Sequence, residues 1–141
     1  MKKVNNYLVV FLLASNLAAY GQVKQSAQQW KVFETSFVST KNYSNPFMDV
    51  QVEVLFRQDG KEWKIPAFWD GANIWKVRFA PPYKGNYSYR VVSSDKSNKS
   101  LNGEKQALTV TDYTGSNKLY KHGMIGISED KHHFSHADGT P

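Results

Sequence analysis

"WKVRFAPPYKGNYSYRV", Trp75–Val91, decides the fold. Trp75, Val77 and Phe79 alternate with Lys76 and Arg78, the two-residue period of a strand with one buried face. Pro81-Pro82 then stops the strand, because proline has no amide hydrogen to give to a ladder. Gly85 opens a second strand in which Tyr87, Tyr89 and Val91 alternate with Ser88 and Arg90. The Gly-x-Tyr-x-core spacing is that of an immunoglobulin-like F strand, in which a tyrosine two residues before the core position bonds back to upstream backbone. Tyr87 is the expected corner tyrosine. Tyr89 takes the position that carries cysteine in antibody domains, and Trp75 is expected between two sheets. These three are structural residues.

The same period extends on both sides. Phe33, Thr35 and Phe37 alternate with Val32, Glu34 and Ser36, and Val50, Val52, Val54 and Phe56 share one face. Asp59-Gly60 turns the chain into Trp63, Ile65, Ala67 and Trp69, read as one run, and Asp70-Gly71 turns it again into Trp75. A polar loop spans 93–103, and Leu108 and Val110 mark a last strand. The pattern predicts an all-β, immunoglobulin-like antiparallel sandwich over residues 30–111. Beyond a linker at 112–120, Met124–Ser128 and His133–His136 are expected to form a hairpin turned at Glu129-Asp130-Lys131. An isolated hairpin is marginal in water, so it should be loosely attached. The Asp138-Gly139 turn should lead away from the sandwich.

The first residues have another character. Lys2 and Lys3, an apolar run from Tyr7 to Ala14, and small residues at Ala18, Ala19 and Gly21 follow the order of a secretory leader. The apolar core is far short of the ~18 residues that a spanning helix needs. Cleavage is expected after Gly21, leaving a mature segment at 22–29, and the protein is expected to be exported to the periplasm or beyond. Of the 141 residues 120 would remain, with sixteen lysines and arginines against twelve acids, a net charge of +4. The basic residues are scattered, which argues against a nucleic-acid footprint. There is no cysteine, so disulfides and thiol chemistry are excluded. Asn42, Asn86 and Asn98 each head an Asn-x-Ser sequence, which matters only in a glycosylating host.

Three stretches carry a resemblance: "WKVFETSF" (30–37), "IPAFWDGANIWKVRFAPPYKGNYSYRV" (65–91) and "HGMIGISEDKHHFSHADGTP" (122–141). Together they resemble the N-terminal β-sandwich domain of unknown function that precedes an apiosidase-like (β/α)8 glycoside hydrolase in exported bacterial proteins. The resemblance implies that residues 121–141 open the barrel domain and that the chain stops at a domain junction, as a fragment or a truncated frame. It also implies that the partner of the sandwich is the catalytic barrel of the parent chain. The family's catalytic acids lie in that barrel and match no position here.

The residues themselves offer little chemistry. Glu34, Asp49, Glu53, Asp70 and Glu104 fall at turns or on outward strand positions, with no pairing legible that would suit glycoside hydrolysis. His122, His132, His133 and His136 lie near Asp130 and Asp138, but His132 and His133 should point to opposite faces, so solvated hairpin residues are expected rather than a metal site. No catalytic residue, metal or cofactor is expected. Phe68, Trp69 and Tyr83, with Trp75, gather in sequence around the Asp70-Gly71 turn and the double proline, and exposed aromatic faces stack on sugars. Three functions compete: a non-catalytic accessory domain packed against a glycoside hydrolase barrel, an independent carbohydrate-binding module using Phe68, Trp69 and Tyr83 on a polysaccharide, and an adhesion or scaffold domain.

Overall fold

A computed structural model describes residues 25–141. The expected leader, 1–21, lies outside them. The described residues form three sheets, and two of them face each other. The first has five strands in the order β1-β8-β7-β3-β4: β1 Gln25–Gln28, β3 Val52–Gln58, β4 Lys61–Pro66, β7 Gly85–Ser93 and β8 Gln106–Thr111. The second has the order β2-β6-β5, from β2 Phe33–Val38, β5 Phe68–Trp69 and β6 Ile74–Phe79. The third is the hairpin β9 Ile125–Ile127 with β10 Phe134–His136. Among the described residues two short α-helices, α1 Pro46–Asp49 and α2 Lys118–His122, and a 3-10 turn at Lys99–Leu101 interrupt the strands. This is an all-β, multi-sheet fold with sandwich-like packing.

Alternation builds the core. Val52, Val54 and Phe56 of β3, Tyr87, Tyr89 and Val91 of β7, and Leu108 and Val110 of β8 point at Phe37 of β2 and Trp75, Val77 and Phe79 of β6, and all are buried. Phe56 sits at the centre: its ring stacks on Phe79 at 4.2 Å from the facing sheet and on Tyr89 at 5.3 Å beside it. Burying such rings is worth about 1.5–3 kcal/mol each before packing terms. The Tyr87 hydroxyl donates to the Tyr83 carbonyl at 2.9 Å and accepts from the Tyr83 amide at 3.2 Å. Both polar groups of that turn are thereby satisfied without water.

Several elements differ from the sequence pattern. Trp63 to Trp69 is not one strand. β4 pairs with β3 in the first sheet, whereas β5 pairs with β6 in the second, and the chain crosses between them at Pro66-Ala67. The period of two runs through the crossover unbroken, so alternation alone does not reveal it. The segment expected at 22–29 contains β1, which pairs with β8 in parallel. The polar loop at 93–103 contains a buried centre. Asn98 is fully buried, and its side-chain amide donates to Ser39 Oγ at 2.8 Å and Tyr43 Oη at 2.9 Å. The linker region includes the start of α2. The Asp59-Gly60 turn has both residues at positive φ, 46° and 78°, the geometry that matches a two-residue hairpin loop to strand twist.

Tyr89 does more than fill volume: its hydroxyl lies 2.5 Å from Gln25 Oε1 and 2.7 Å from Gln106 Oε1, fastening β1 and β8 to β7.

Candidate functional site

Residues 118–141 form a small unit against one end of the sandwich. Helix α2 begins where the Asn117 side chain accepts the Leu119 amide at 3.0 Å, and ends at Gly123, whose φ of 84° closes the last turn. Gly123 is buried against the indole of Trp30: a Cβ there would stand 2.6 Å from Trp30 Cε2 and 2.8 Å from Ala137 Cβ. Glycine is required on both counts, conformation and space. The unit is thus latched to the sandwich at Trp30, while β9 and β10 pair only with each other.

One face of this unit is apolar. Ile127 of β9 stands opposite Phe134 of β10, and Ile125, two residues before Ile127, shares its face; Ile125, Ile127 and Phe134 are 58%, 70% and 72% exposed. Met124, Leu119 and Val32 extend the surface, which surrounds a depression of about 330 Å³ with Trp30 and Ala80 in its floor and walls. Contiguous exposure of this kind marks an interaction surface.

A second apolar feature lies at the crossover. A cleft of about 460 Å³ opens between the layers, with Phe47, Val52, Pro66, Phe68 and Trp75 among its lining residues and Gln51 and Glu53 at its polar positions. Phe47 is exposed and meets Trp69 edge to face at 5.3 Å. Trp69 is held by an indole hydrogen bond to the Ala72 carbonyl at 2.8 Å.

The aromatics that gather in the sequence do not gather in space. Phe68 and Trp69 are neighbours in β5, so they project to opposite faces. Phe68 lies beneath the Arg78 guanidinium at 5.0 Å, whereas Trp69 packs against the core. Trp69 pairs with Trp75 at the start of β6, but Tyr83 follows the far end of that strand, about 13 Å along it at ordinary strand rise. There Tyr83 meets Trp63 at 6.1 Å and carries Lys61 Nζ over its ring at 3.8 Å. Phe68 and Tyr83 are exposed, Trp69 is half-buried, and Trp75 is buried. The sequence reading missed Phe47, which stands in a polar stretch; the Asn45-Pro46 step before it, a turn-initiating pair with proline at the first helical position, is the signal that marks α1.

Four of the five candidate acids are committed to ion pairs or a cap. Glu34 pairs with Arg78 at 2.7 Å and lies 3.7 Å from Lys76, which also holds Asp70 at 2.6 Å. The Arg78 hydrogen bond keeps the Glu34 carboxyl below its ordinary range, the reverse of what a general acid needs. Glu53 pairs with Lys64 at 2.9 Å, and Asp49 accepts the Asn45 amide at 2.8 Å. Glu104 is exposed.

Two of the histidines are not solvated hairpin residues. His122 Nδ1 lies 2.8 Å from Asp138 Oδ2, and His136 Nδ1 lies 2.8 Å from the Gly123 carbonyl, both at partly buried positions. The Asp138-Gly139 turn therefore folds back on α2 instead of leading away: the Asp138 amide reaches the His122 carbonyl at 3.2 Å. The C-terminal carbonyls of α2 need donors, and this turn supplies one. His132 and His133 are exposed. Among the described residues no group of three or more His, Cys, Asp or Glu side chains is placed to hold a metal ion, and no helix is long and apolar enough to cross a membrane.

The profile of the family described as "Domain of unknown function (DUF5060)" matches residues 26–94. No curated protein matches the chain. Among solved structures, the chain is similar to a "putative glycoside hydrolase" from Bacteroides vulgatus, at 28% identity and a TM-score of 0.65, over 83% of this chain and 21% of that one. The chain thus spans about a fifth of that protein's length. A likeness to the plexin A4 extracellular region, at 14% identity and a TM-score of 0.41, carries no argument. What these similarities identify is a β-rich domain distantly related to a stretch of a chain described as a putative glycoside hydrolase.

Proposed function

We propose that the chain is a non-catalytic accessory domain of an exported bacterial glycoside hydrolase, packed against the catalytic barrel of its parent and supporting glycan degradation. The observation that carries this reading is the apolar surface of Val32, Leu119, Met124, Ile125, Ile127 and Phe134. Side chains of this size gain free energy only when covered, and among the described residues they stand exposed. The similarity to a fifth of a much longer chain supports the same reading. In it, residues 30–111, joined at their edge by β1, are an immunoglobulin-like sandwich, 112–120 are a linker, and 121–141 open the barrel domain. The Tyr87–Tyr83 bonds support the immunoglobulin-like identity. Residues 1–21 direct export.

The test is to sequence the gene beyond the codon for Pro141 and to express the chain with and without the downstream coding region. The expectation is a barrel of ~250 residues or more, glycosidase activity only in the longer protein, and loss of hydrophobic-dye binding when the barrel is present. Sugar hydrolysis by the 141-residue chain, or dye binding unchanged in the longer one, would refute the reading. Mass analysis of the exported protein tests the leader, with cleavage expected after Gly21.

A further inference from the structure

The cleft at the crossover needs an occupant of a different kind from the hairpin surface. Phe47 is 72% exposed, yet it stands on an ordered turn. Pro46 fixes the first helical residue, the Asn45 carbonyl accepts from Met48 and Asp49, and the Asp49 carboxylate closes back on the Asn45 amide. Trp69, which meets the Phe47 ring, is itself locked through Ala72. An exposed aromatic ring on an ordered backbone turn, resting on a fixed partner, adds little to the sandwich but suits a ligand, because the backbone that carries it need not be ordered on binding.

The surroundings of the cleft narrow the chemistry. The hairpin surface is apolar almost throughout. The cleft instead sets Gln51 and Glu53 beside aromatic walls, and Lys64, which does not line it, pairs with Glu53 at 2.9 Å. The Gln51 amide supplies a donor and an acceptor, and the Glu53 carboxylate supplies further acceptors. Because Glu53 and Lys64 neutralise each other, the set favours an uncharged ligand. A volume of about 460 Å³ falls within the usual range for small-molecule sites. A neutral pyranose meets these demands: its C–H face stacks on an aromatic ring while its hydroxyl edge takes the polar groups.

We propose that the crossover cleft binds a neutral pyranose unit of a glycan, with Phe47 as the stacking residue, Phe68 and Trp75 as the remaining aromatic lining, and Gln51 and Glu53 as hydroxyl partners. Equatorial hydroxyls leave the ring faces apolar, so gluco-configured units fit best. This site does not depend on packing against a barrel, and the chain alone tests it.

The test is titration of the purified 141-residue chain with cellotetraose, followed by tryptophan fluorescence and by chemical shifts of the indole Nε1–H groups. Binding is expected with a dissociation constant on the order of 1 mM. Phe47→Ala should weaken it about tenfold or more at unchanged melting temperature, since Phe47 lies outside the core, whereas Tyr83→Ala should leave it unchanged. No response to cellotetraose at tens of millimolar would overturn the proposal. So would equal loss from Tyr83→Ala, or preference for tetragalacturonate, which would make charge the recognised feature. A Phe47→Ala variant that melts lower only when the downstream domain is present would assign the cleft to protein packing and overturn it too.

Discussion

Gly123→Ala should unlatch residues 118–141 from the sandwich without unfolding the sandwich. Two costs combine. At φ 84° an alanine is strained by about 1 kcal/mol or more. Its Cβ would also stand 2.6 Å from Trp30 Cε2 and 2.8 Å from Ala137 Cβ, and overpacking of this kind typically costs about 1–3 kcal/mol. A total of about 2–4 kcal/mol raises the open population of the latch roughly 30-fold or more, at 1.4 kcal/mol per factor of ten. The sandwich keeps its own core, because the clash falls on Trp30 and Ala137, neither of which belongs to that core. Hydrogen exchange followed by mass spectrometry reads both halves at once. Amides of α2, β9 and β10 should lose protection, while those of β3, β6 and β7 keep theirs. Global loss of protection would show that the latch belongs to the sandwich's cooperative unit. Unchanged protection everywhere would show that Trp30 yields freely and that the latch is not a latch.

Three further outcomes concern the core, the corner and the C-terminal turn. Trp75→Ala removes a buried indole and should cost ~3–5 kcal/mol, read from denaturant midpoints. Tyr87→Phe should cost about 1–1.5 kcal/mol by stranding both polar groups of Tyr83, and Tyr89→Phe should cost a similar amount, with β1 exchanging first because its anchor at Gln25 is lost. Asp138 is lowered to about 2, first by the Thr140 amide and then by His122. A carboxyl lowered on folding stabilises fully above its ordinary value near 3.8 and stops doing so as pH falls through 2. The turn at residues 136–140 should therefore hold to about pH 4 and open between pH 4 and 2, visible as loss of amide protection at Thr140.

Strands whose inward residues are large and outward residues polar are legible in the sequence: β3, β6, β7 and β8 stand where alternation places them. β1 is not, since Gln25–Gln28 has the sequence QSAQ and offers no apolar face; its place is set by backbone pairing and by the Tyr89 hydroxyl. The crossover is hidden because Trp63, Ile65, Ala67 and Trp69 keep one phase while the chain changes sheets. α1 and α2, at four and five residues, are too short for a helical period to emerge. Asn98 reads as loop because its burial depends on partners 55 and 59 residues away. The candidate cleft is half legible: Phe68 stands out in the sequence, whereas Phe47 needs the fold to bring it beside Trp69. Tyr83 joins them only by proximity in sequence, and the length of β6 separates it.

The parallel pairing of β1 with β8 governs how the domain bears force. Gln25 aligns with Leu108 and Gln28 with Thr111, so the entering end of β1 and the leaving end of β8 lie at opposite ends of one ladder. Tension applied through the two chain ends of the sandwich pulls these strands past each other lengthwise. Every hydrogen bond of the ladder is then loaded at once, whereas an antiparallel pair loaded at its open end would unzip bond by bond. The Tyr89 hydroxyl, within hydrogen-bond reach of Gln25 on β1 and of Gln106 on β8, lies across the same seam. The sandwich is thus built as a shear joint along the line of pull, and its resistance to extension is set by the rate of that one rupture rather than by its equilibrium stability.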